Sequence, residues 1–290
     1  MEKIGFVGLG NMGAKMSLNL LRANYKVIGY DINEKFVDEL LPQGLQKAHN
    51  LSDISKETNI IITMLPNGEI VEKVYDTIIN EFKPGTLFVD CSTIDVDKAR
   101  DLHKKCLAKK ILSLDAPVSG GVKGAENATL TFMVGGEEDS YNIMSPLFKV
   151  MGKKSLLCGS YGSGQATKAC NNMLLATTMI GVGEAFNLGN NLGLDPNKLY
   201  EIISSSTGSC WAVNSYCPIE NVGPISPADN NFRPGFSANL MLKDLTIAIK
   251  AIETTKTSAP FGKKAQENFK KMIDDDKGDL DFSAITLFNK

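Results

Sequence analysis

Residues 3–31 read KIGFVGLGNMGAKMSLNLLRANYKVIGYD, and the rest of the chain is organised around this stretch. Ile4, Phe6 and Val7 predict a short buried strand. It runs directly into Gly8-Leu9-Gly10-Asn11-Met12-Gly13, a G-x-G-x-x-G. An amphipathic run from Met12 to Ala23 predicts a helix, and Lys26 to Tyr30 predicts a second strand ending in Asp31. Glycines stand where such a βαβ unit must turn sharply, admit a pyrophosphate to the backbone and pack helix on strand. Free N–H groups at the helix start would hold the phosphates. Gly8, Leu9, Gly10, Asn11, Met12 and Gly13 are therefore candidate dinucleotide contacts, and Asp31 would accept from the adenosine ribose hydroxyls. The competing reading is a glycine turn in an ordinary α/β unit. A carboxylate at Asp31 repels the 2′-phosphate of NADP. No arginine lies in Ile32 to Phe36 to offset it, and Lys35 falls on the following helix. NAD is expected in preference to NADP.

The bulk numbers exclude several classes. At 290 residues the chain is long enough for two domains. Its 43% apolar and 22% charged residues are ordinary for a globular protein. A net charge of −2 gives no electrostatic case for nucleic acid or a membrane surface. No apolar run approaches the roughly 18 residues of a membrane span. The six cysteines form no C-x-x-C pair and no zinc spacing, so they read as reduced thiols without a metal. The first strand begins almost at Met1, so no signal or transit peptide is expected ahead of it. Only two histidines occur, His49 and His103, and both read as solvated surface residues. Proton transfer is therefore assigned to another side chain.

Short apolar runs alternate with helical patterns along the first half. Helices are predicted over Glu34 to Leu41, after Ser52 as a cap, and over Glu69 to Phe82, Val96 to Ala108 and Glu138 to Met151. Strands are predicted over Leu45 to Ala48, Asn59 to Leu65, Thr86 to Asp90, Ile111 to Ala116, Thr129 to Val134 and Lys154 to Leu157. This alternation predicts a doubly wound, mainly parallel sheet, whose strand ends face a ligand crevice. Met64, Leu65 and Pro66 would pack on the cofactor there, and Thr93 could bond the nicotinamide ribose. Each is also an ordinary strand-to-loop turn. In DAPVSGGVKGA, residues 115–125, Ser119 beside Gly120 and Gly121 offers an anion nest that fits a substrate carboxylate. A glycine-rich loop without a ligand is the alternative.

The expected domains are residues 1–161, a Rossmann-type dinucleotide-binding domain, and 162–290, an all-α domain joined to it by a long helix. Gly162 to Leu192 has no proline and is apolar nearly all round, which predicts a buried spine. Lys168 and Asn172, four apart, share one face of it. Lys168 would reach a polar pocket or snorkel to solvent. Ser204 to Phe236 loses periodicity, and a loop this long is usually functional. Further helices are predicted over Asp195 to Ser204, Ser237 to Thr255, Pro260 to Asp275 and Asp281 to Phe288.

Five spaced motifs then point to a family: GFVGLGNMG, DCSTID at 90–95, APVSGGVKGA at 116–125, GQATKACNN at 164–172 and MLKDL at 241–245. Together they resemble the β-hydroxyacid dehydrogenases over essentially the whole chain. The loop SSSTGSCWAVNSYCP and the following ADNNFRPGFSANLMLKDL resemble the 3-hydroxyisobutyrate branch more than the tartronate semialdehyde or glyoxylate reductases. One departure is Ser209, where that branch usually carries arginine before the Cys-Trp pair. The resemblance implies Lys168 as the catalytic lysine and Asn172 as the asparagine that positions substrate. It implies Ser119, Gly120 and Gly121 as the carboxylate loop, with Trp211 also on the substrate. It further implies Thr93 on the nicotinamide ribose, and Lys243 closing over cofactor and substrate.

The expected chemistry is NAD-dependent oxidation of 3-hydroxyisobutyrate, or a close β-hydroxyacid, to a semialdehyde, a step of valine catabolism. Lys168 would take the hydroxyl proton, which requires its pKa to fall below the free value of roughly 10. The alternatives are an NAD(P)H-dependent reductase of tartronate, glyoxylate or succinic semialdehyde, or a dinucleotide-binding module without catalysis. A homodimer or homotetramer is implied. The compartment would be the cytoplasm in a bacterium and the mitochondrial matrix in a eukaryote.

Overall fold

The computed structural model describes residues 3–288. β1 (Lys3–Val7), α1 (Gly13–Arg22) and β2 (Lys26–Tyr30) form the leading βαβ unit. α2 (Glu34–Asp38), β3 (Gln46–Lys47), α3 (Leu51–Ser55), β4 (Ile60–Thr63), α4 (Gly68–Ile78), β5 (Leu87–Asp90), α5 (Val96–Ala108) and β6 (Leu112–Asp115) continue the alternation. β7 (Val118–Ser119), α6 (Gly121–Glu126), β8 (Leu130–Gly136), α7 (Glu138–Met151) and β9 (Gly152–Gly159) complete it. They build one nine-stranded sheet in the order β3-β2-β1-β4-β5-β6-β8-β7, with β9 also pairing β8. The strands from β3 across to β6 are parallel, and β8 runs antiparallel to both β6 and β7.

Alternate strand residues feed two cores, one on each face of the sheet. Ile60 and Ile62 of β4 join Leu87 and Val89 of β5 with Met16 and Leu20 of α1. Ile61 and Phe88 point the other way, to Val71, Tyr75 and Ile78 of α4 and Leu102 of α5. A strand covered on both faces has no polar side to display, which is why Ile60-Ile61-Ile62 shows no alternation.

By contact, the chain divides into a unit ending at Lys168 and one beginning at Ala169, inside α8 (Ser163–Asn191). The second unit contains α9 (Pro196–Ser205), α10 (Trp211–Asn214), α11 (Ala238–Thr255) and α12 (Pro260–Asp274), with 3₁₀ turns at Pro227–Asn230 and Phe282–Leu287. Its core gathers Ala176, Met179 and Phe186 of α8, Met241 and Leu245 of α11, and Phe269 and Met272 of α12 around Phe282 and Ile285. Fully buried Asp281 orders the long loop ahead of α11. One oxygen accepts from the Tyr216 hydroxyl and the Gly235 and Phe236 amides, the other from Ser283. Burial beside that carboxylate pushes the Tyr216 phenol well up.

Four local expectations are corrected. Pro42 disfavours helix at the residue before it, so α2 stops at Asp38 and Leu41–Gln43 forms a 3₁₀ turn. Asn50, not Ser52, caps α3: its extended backbone lets it exchange bonds with Asp53, while Ser52 lies inside the helix and donates to Glu81. His103 is half-buried rather than a free surface residue; it stacks on Tyr161 and its Nδ1 meets Ser113 Oγ at 2.7 Å, and burial lowers its pKa. Lastly, α8 is not buried all round. Leu174 and Leu188 are 63% and 60% exposed, and Gly181 and Ala185 lie exposed between them.

Candidate active site

The three motif glycines have separate jobs. Gly8 has φ +93°, and a Cβ on it would lie 2.3 Å from the Met64 carbonyl oxygen. A Cβ on Gly13 would lie 1.9 Å from the Gly8 carbonyl oxygen. Both positions exclude any side chain because backbone meets backbone. A Cβ on Gly10 meets nothing within 4 Å. Open space over the middle glycine, at the start of α1, is the cradle a pyrophosphate needs, so the residues fit a dinucleotide. Asp31 ends β2 beside this loop. Its Oδ2 accepts from Leu9 N at 2.7 Å and its Oδ1 from Asn33 N at 2.8 Å. It braces the loop, and each oxygen keeps lone-pair capacity for a ribose hydroxyl.

The parallel register brings the next strand ends together. Leu65 N, just past β4, donates to Ser92 Oγ, just past β5, at 2.8 Å. Met64, Leu65 and Thr93 are half-buried and Pro66 is exposed, all on this row of strand ends. Beyond β6, residues 115–125 are not one loop. Val118 and Ser119 form β7 on β8, and α6 begins at Gly121. Gly120 joins them and Gly121 opens α6, with φ of +132° and +61°, backbone that glycine adopts without strain.

Lys168 does not snorkel. It is 8% exposed and its Nζ donates to Val118 O at 2.8 Å, one residue before Ser119. Asp115, at the end of β6, fastens the same helical turn: Oδ1 accepts from Gly162 N and Oδ2 from Gln165 N, both at 2.8 Å. Burial raises the Asp115 carboxyl from 3.8 to about 6, against the downward pull of those two amides. A folded-state value above the unfolded one means that the native protein binds more protons between them. The stability Asp115 contributes is thus fully present below about pH 4 and is lost as pH rises toward about 6, amounting to about 3 kcal/mol. The advantage of the native protein over Asp115→Asn in urea midpoint should therefore shrink between about pH 4 and about pH 6. A constant difference would contradict this.

In the second unit, Asn172 is 2% exposed and its Nδ2 donates to Asp244 Oδ2 at 2.6 Å, while its Oδ1 accepts from Asn171 Nδ2 at 2.9 Å. Lys243 Nζ lies 3.6 Å from the other Asp244 oxygen. Asp244 is an acid 3% exposed on the otherwise apolar buried side of α11, a signal in the sequence that marks it as a partner for a polar side chain. Trp211 opens α10, half-exposed, and stacks on Tyr216. Ser209, in place of the expected arginine, accepts from Asn214 Nδ2 at 2.9 Å. Cys91 and Cys106 are buried, and burial pushes the Cys106 thiol up to about 12, so neither supplies a thiolate nucleophile. Among the described residues no group of three or more His, Cys, Asp and Glu side chains is placed to hold a metal ion. No described helix is long and apolar enough to cross a membrane.

A family model described as the NAD binding domain of 6-phosphogluconate dehydrogenase matches residues 3–161. A second, described as NAD-binding of NADP-dependent 3-hydroxyisobutyrate dehydrogenase, matches residues 162–288. The chain is 45% identical over 285 residues to the probable 3-hydroxyisobutyrate dehydrogenase of Mycobacterium tuberculosis, covering 98% of this chain and 97% of that protein. It is 46% identical to the mitochondrial 3-hydroxyisobutyrate dehydrogenase of Drosophila melanogaster, covering 98% and 88%. A solved structure of the M. tuberculosis 3-hydroxyisobutyrate dehydrogenase with L-serine matches at a TM-score of 0.96 and 44% identity over 99% of both chains. An imine reductase of Bacillus cereus, 15% identical with a TM-score of 0.67, shares the fold alone.

Proposed function

Because the chain belongs to the 3-hydroxyisobutyrate dehydrogenase family, we propose that it oxidises the primary alcohol of 3-hydroxyisobutyrate to methylmalonate semialdehyde, with NAD as cofactor. The observation that carries the reading is the buried Lys168 amine, bonded to Val118 O beside Ser119, Gly120 and Gly121. NAD is preferred over NADP because Asp31 stands at the end of β2 with no arginine in the five residues that follow. Gly8 to Gly13 carry the pyrophosphate, Met64, Leu65 and Pro66 pack on the cofactor, and Thr93 bonds the nicotinamide ribose.

When bound, the nicotinamide supplies the hydride acceptor. The Ser119 hydroxyl and the Gly120 and Gly121 amides hold the substrate carboxylate. Asn172, four residues along α8 from Lys168 and on the same face, has one amide hydrogen tied to Asp244 and the other left for the substrate hydroxyl oxygen. Lys168, neutral, takes the hydroxyl proton as the carbon loses hydride, and then passes it to solvent. In reverse, protonated Lys168 donates to the aldehyde oxygen. Val118 O fixes the direction of the amine. Lys243 closes over cofactor and substrate, and Trp211 lines the substrate side.

Purified protein should produce NADH, read by its near-ultraviolet absorbance, with 3-hydroxyisobutyrate and more slowly with L-serine, and should use NADP poorly. No NADH with any short β-hydroxyacid, but NADPH oxidation with tartronate, glyoxylate or succinic semialdehyde, would favour a reductase. Dinucleotide binding with neither activity would favour a non-catalytic module. The exposed Leu174, Gly181, Ala185 and Leu188 row on α8 is read as the surface through which copies associate into a dimer or tetramer.

A further inference from the structure

We propose that Gln165 is a positioning residue that makes the loop presenting Thr93 and the helical turn presenting Lys168 one mechanical piece. Gln165 is 1% exposed. Its side-chain amide behaves like a length of strand. Oε1 accepts from Ile94 N at 3.0 Å and Nε2 donates to Ser92 O at 2.8 Å, one bond on each side of Thr93. The same loop is held from the β4 side through Ser92 Oγ, which accepts from Leu65 N at 2.8 Å. The Gln165 backbone amide is bound to Asp115, and Lys168 follows three residues later with its amine on Val118 O. The turn therefore reaches the ends of β5, β6 and β7 at once.

The attachment has no slack. A Cβ on Gly164 would lie 2.3 Å from Met133 O and 2.6 Å from Asp115 O, so the helix start is pressed onto the strands by backbone contact. A helix seated that closely cannot shift to recover a lost bond. Deleting the Gln165 amide leaves Ser92 O and Ile94 N buried without their partner, and the Thr93 loop must move to satisfy them. This inference rests on the assignment of Thr93 and Lys168 above. It adds that cofactor grip at Thr93 and the placement of the lysine are set by one side chain that touches neither ligand.

The test uses Gln165→Leu, which removes both bonds. Gln165→Glu keeps the volume but turns a carboxylate oxygen toward the Ser92 carbonyl, and it decides the matter if the leucine variant does not fold. NADH affinity is read by the fluorescence of the dinucleotide, which needs no turnover. Both variants should bind NADH about tenfold more weakly, the worth of roughly one hydrogen bond. Their kcat should fall about 10²-fold, as expected for a reacting group displaced by about 1 Å, with the hydroxyacid KM nearly unchanged. The double variant Thr93→Val, Gln165→Leu should bind NADH no worse than the weaker single variant, because Gln165 acts through Thr93. Folded variants with native NADH affinity, or losses that simply add in the double variant, would overturn the proposal. A native protein that binds NADH but oxidises no hydroxyacid would refute the substrate reading instead, and the affinities would still decide the role of Gln165.

Discussion

Lys168→Ala is expected to lower kcat by about 10²–10⁴-fold, the usual contribution of a positioned general acid or base, while NADH affinity stays close to native. The expectation follows from where the amine is. It is buried, its direction is set by the Val118 carbonyl, and it stands beside the Ser119-Gly120-Gly121 turn. No histidine can replace it: His103 is stacked on Tyr161 and bonded to Ser113, and His49 is exposed. Truncation also leaves Val118 O without this donor, at a cost of about 1–3 kcal/mol of stability. Lys168→Met, which keeps most of the stem, separates that loss from the chemical one. If either variant turns over 3-hydroxyisobutyrate at a native rate, Lys168 is not the base.

The second large effect separates binding from folding within one motif. Gly10→Val places its side chain in open space and should unfold at nearly the native temperature. The same side chain occupies the volume the pyrophosphate needs. Losing two hydrogen bonds to charged oxygens, each about 1.5–3 kcal/mol, should weaken NADH binding roughly 10²-fold or more. Gly13→Ala should do the reverse. Its Cβ would sit 1.9 Å from the Gly8 carbonyl oxygen, so β1 and α1 cannot keep their present approach. The expected result is a lowered thermal midpoint even without cofactor, from overpacking worth about 1–3 kcal/mol or more. A Gly10→Val protein with native affinity would remove the dinucleotide from this loop. Equal thermal midpoints for native and Gly13→Ala would contradict the steric assignment.

Much of the first unit was legible because its signals are local. The G-x-G-x-x-G, the Lys26–Tyr30 strand and the Val96–Ala108 helix fall where sequence placed them. The strand expected over Asn59 to Leu65 forms over Ile60–Thr63 and is buried at every position. What misled was competition at close range. Asn50 and Ser52 both offer a cap, and only backbone conformation chooses between them. The apolar density of α8 points to burial nearly all round because periodicity counts apolar residues but not the neighbours available to cover them, and Leu174 and Leu188 have none over most of their surface.

Sequence by itself determined the βαβ start, the alternation that makes a parallel sheet, the long proline-free helix and the spacing that sets Lys168 and Asn172 on one face of it. These depend on residues within one or two turns of each other. Only tertiary structure decided what those side chains touch. Val118 and Lys168, Gln165 and Ser92, and Asn172 and Asp244 are 50 to 73 positions apart and are joined by single hydrogen bonds. No local pattern encodes such a pair, because its partners meet only after strand order and helix packing have carried both chain segments to the same place.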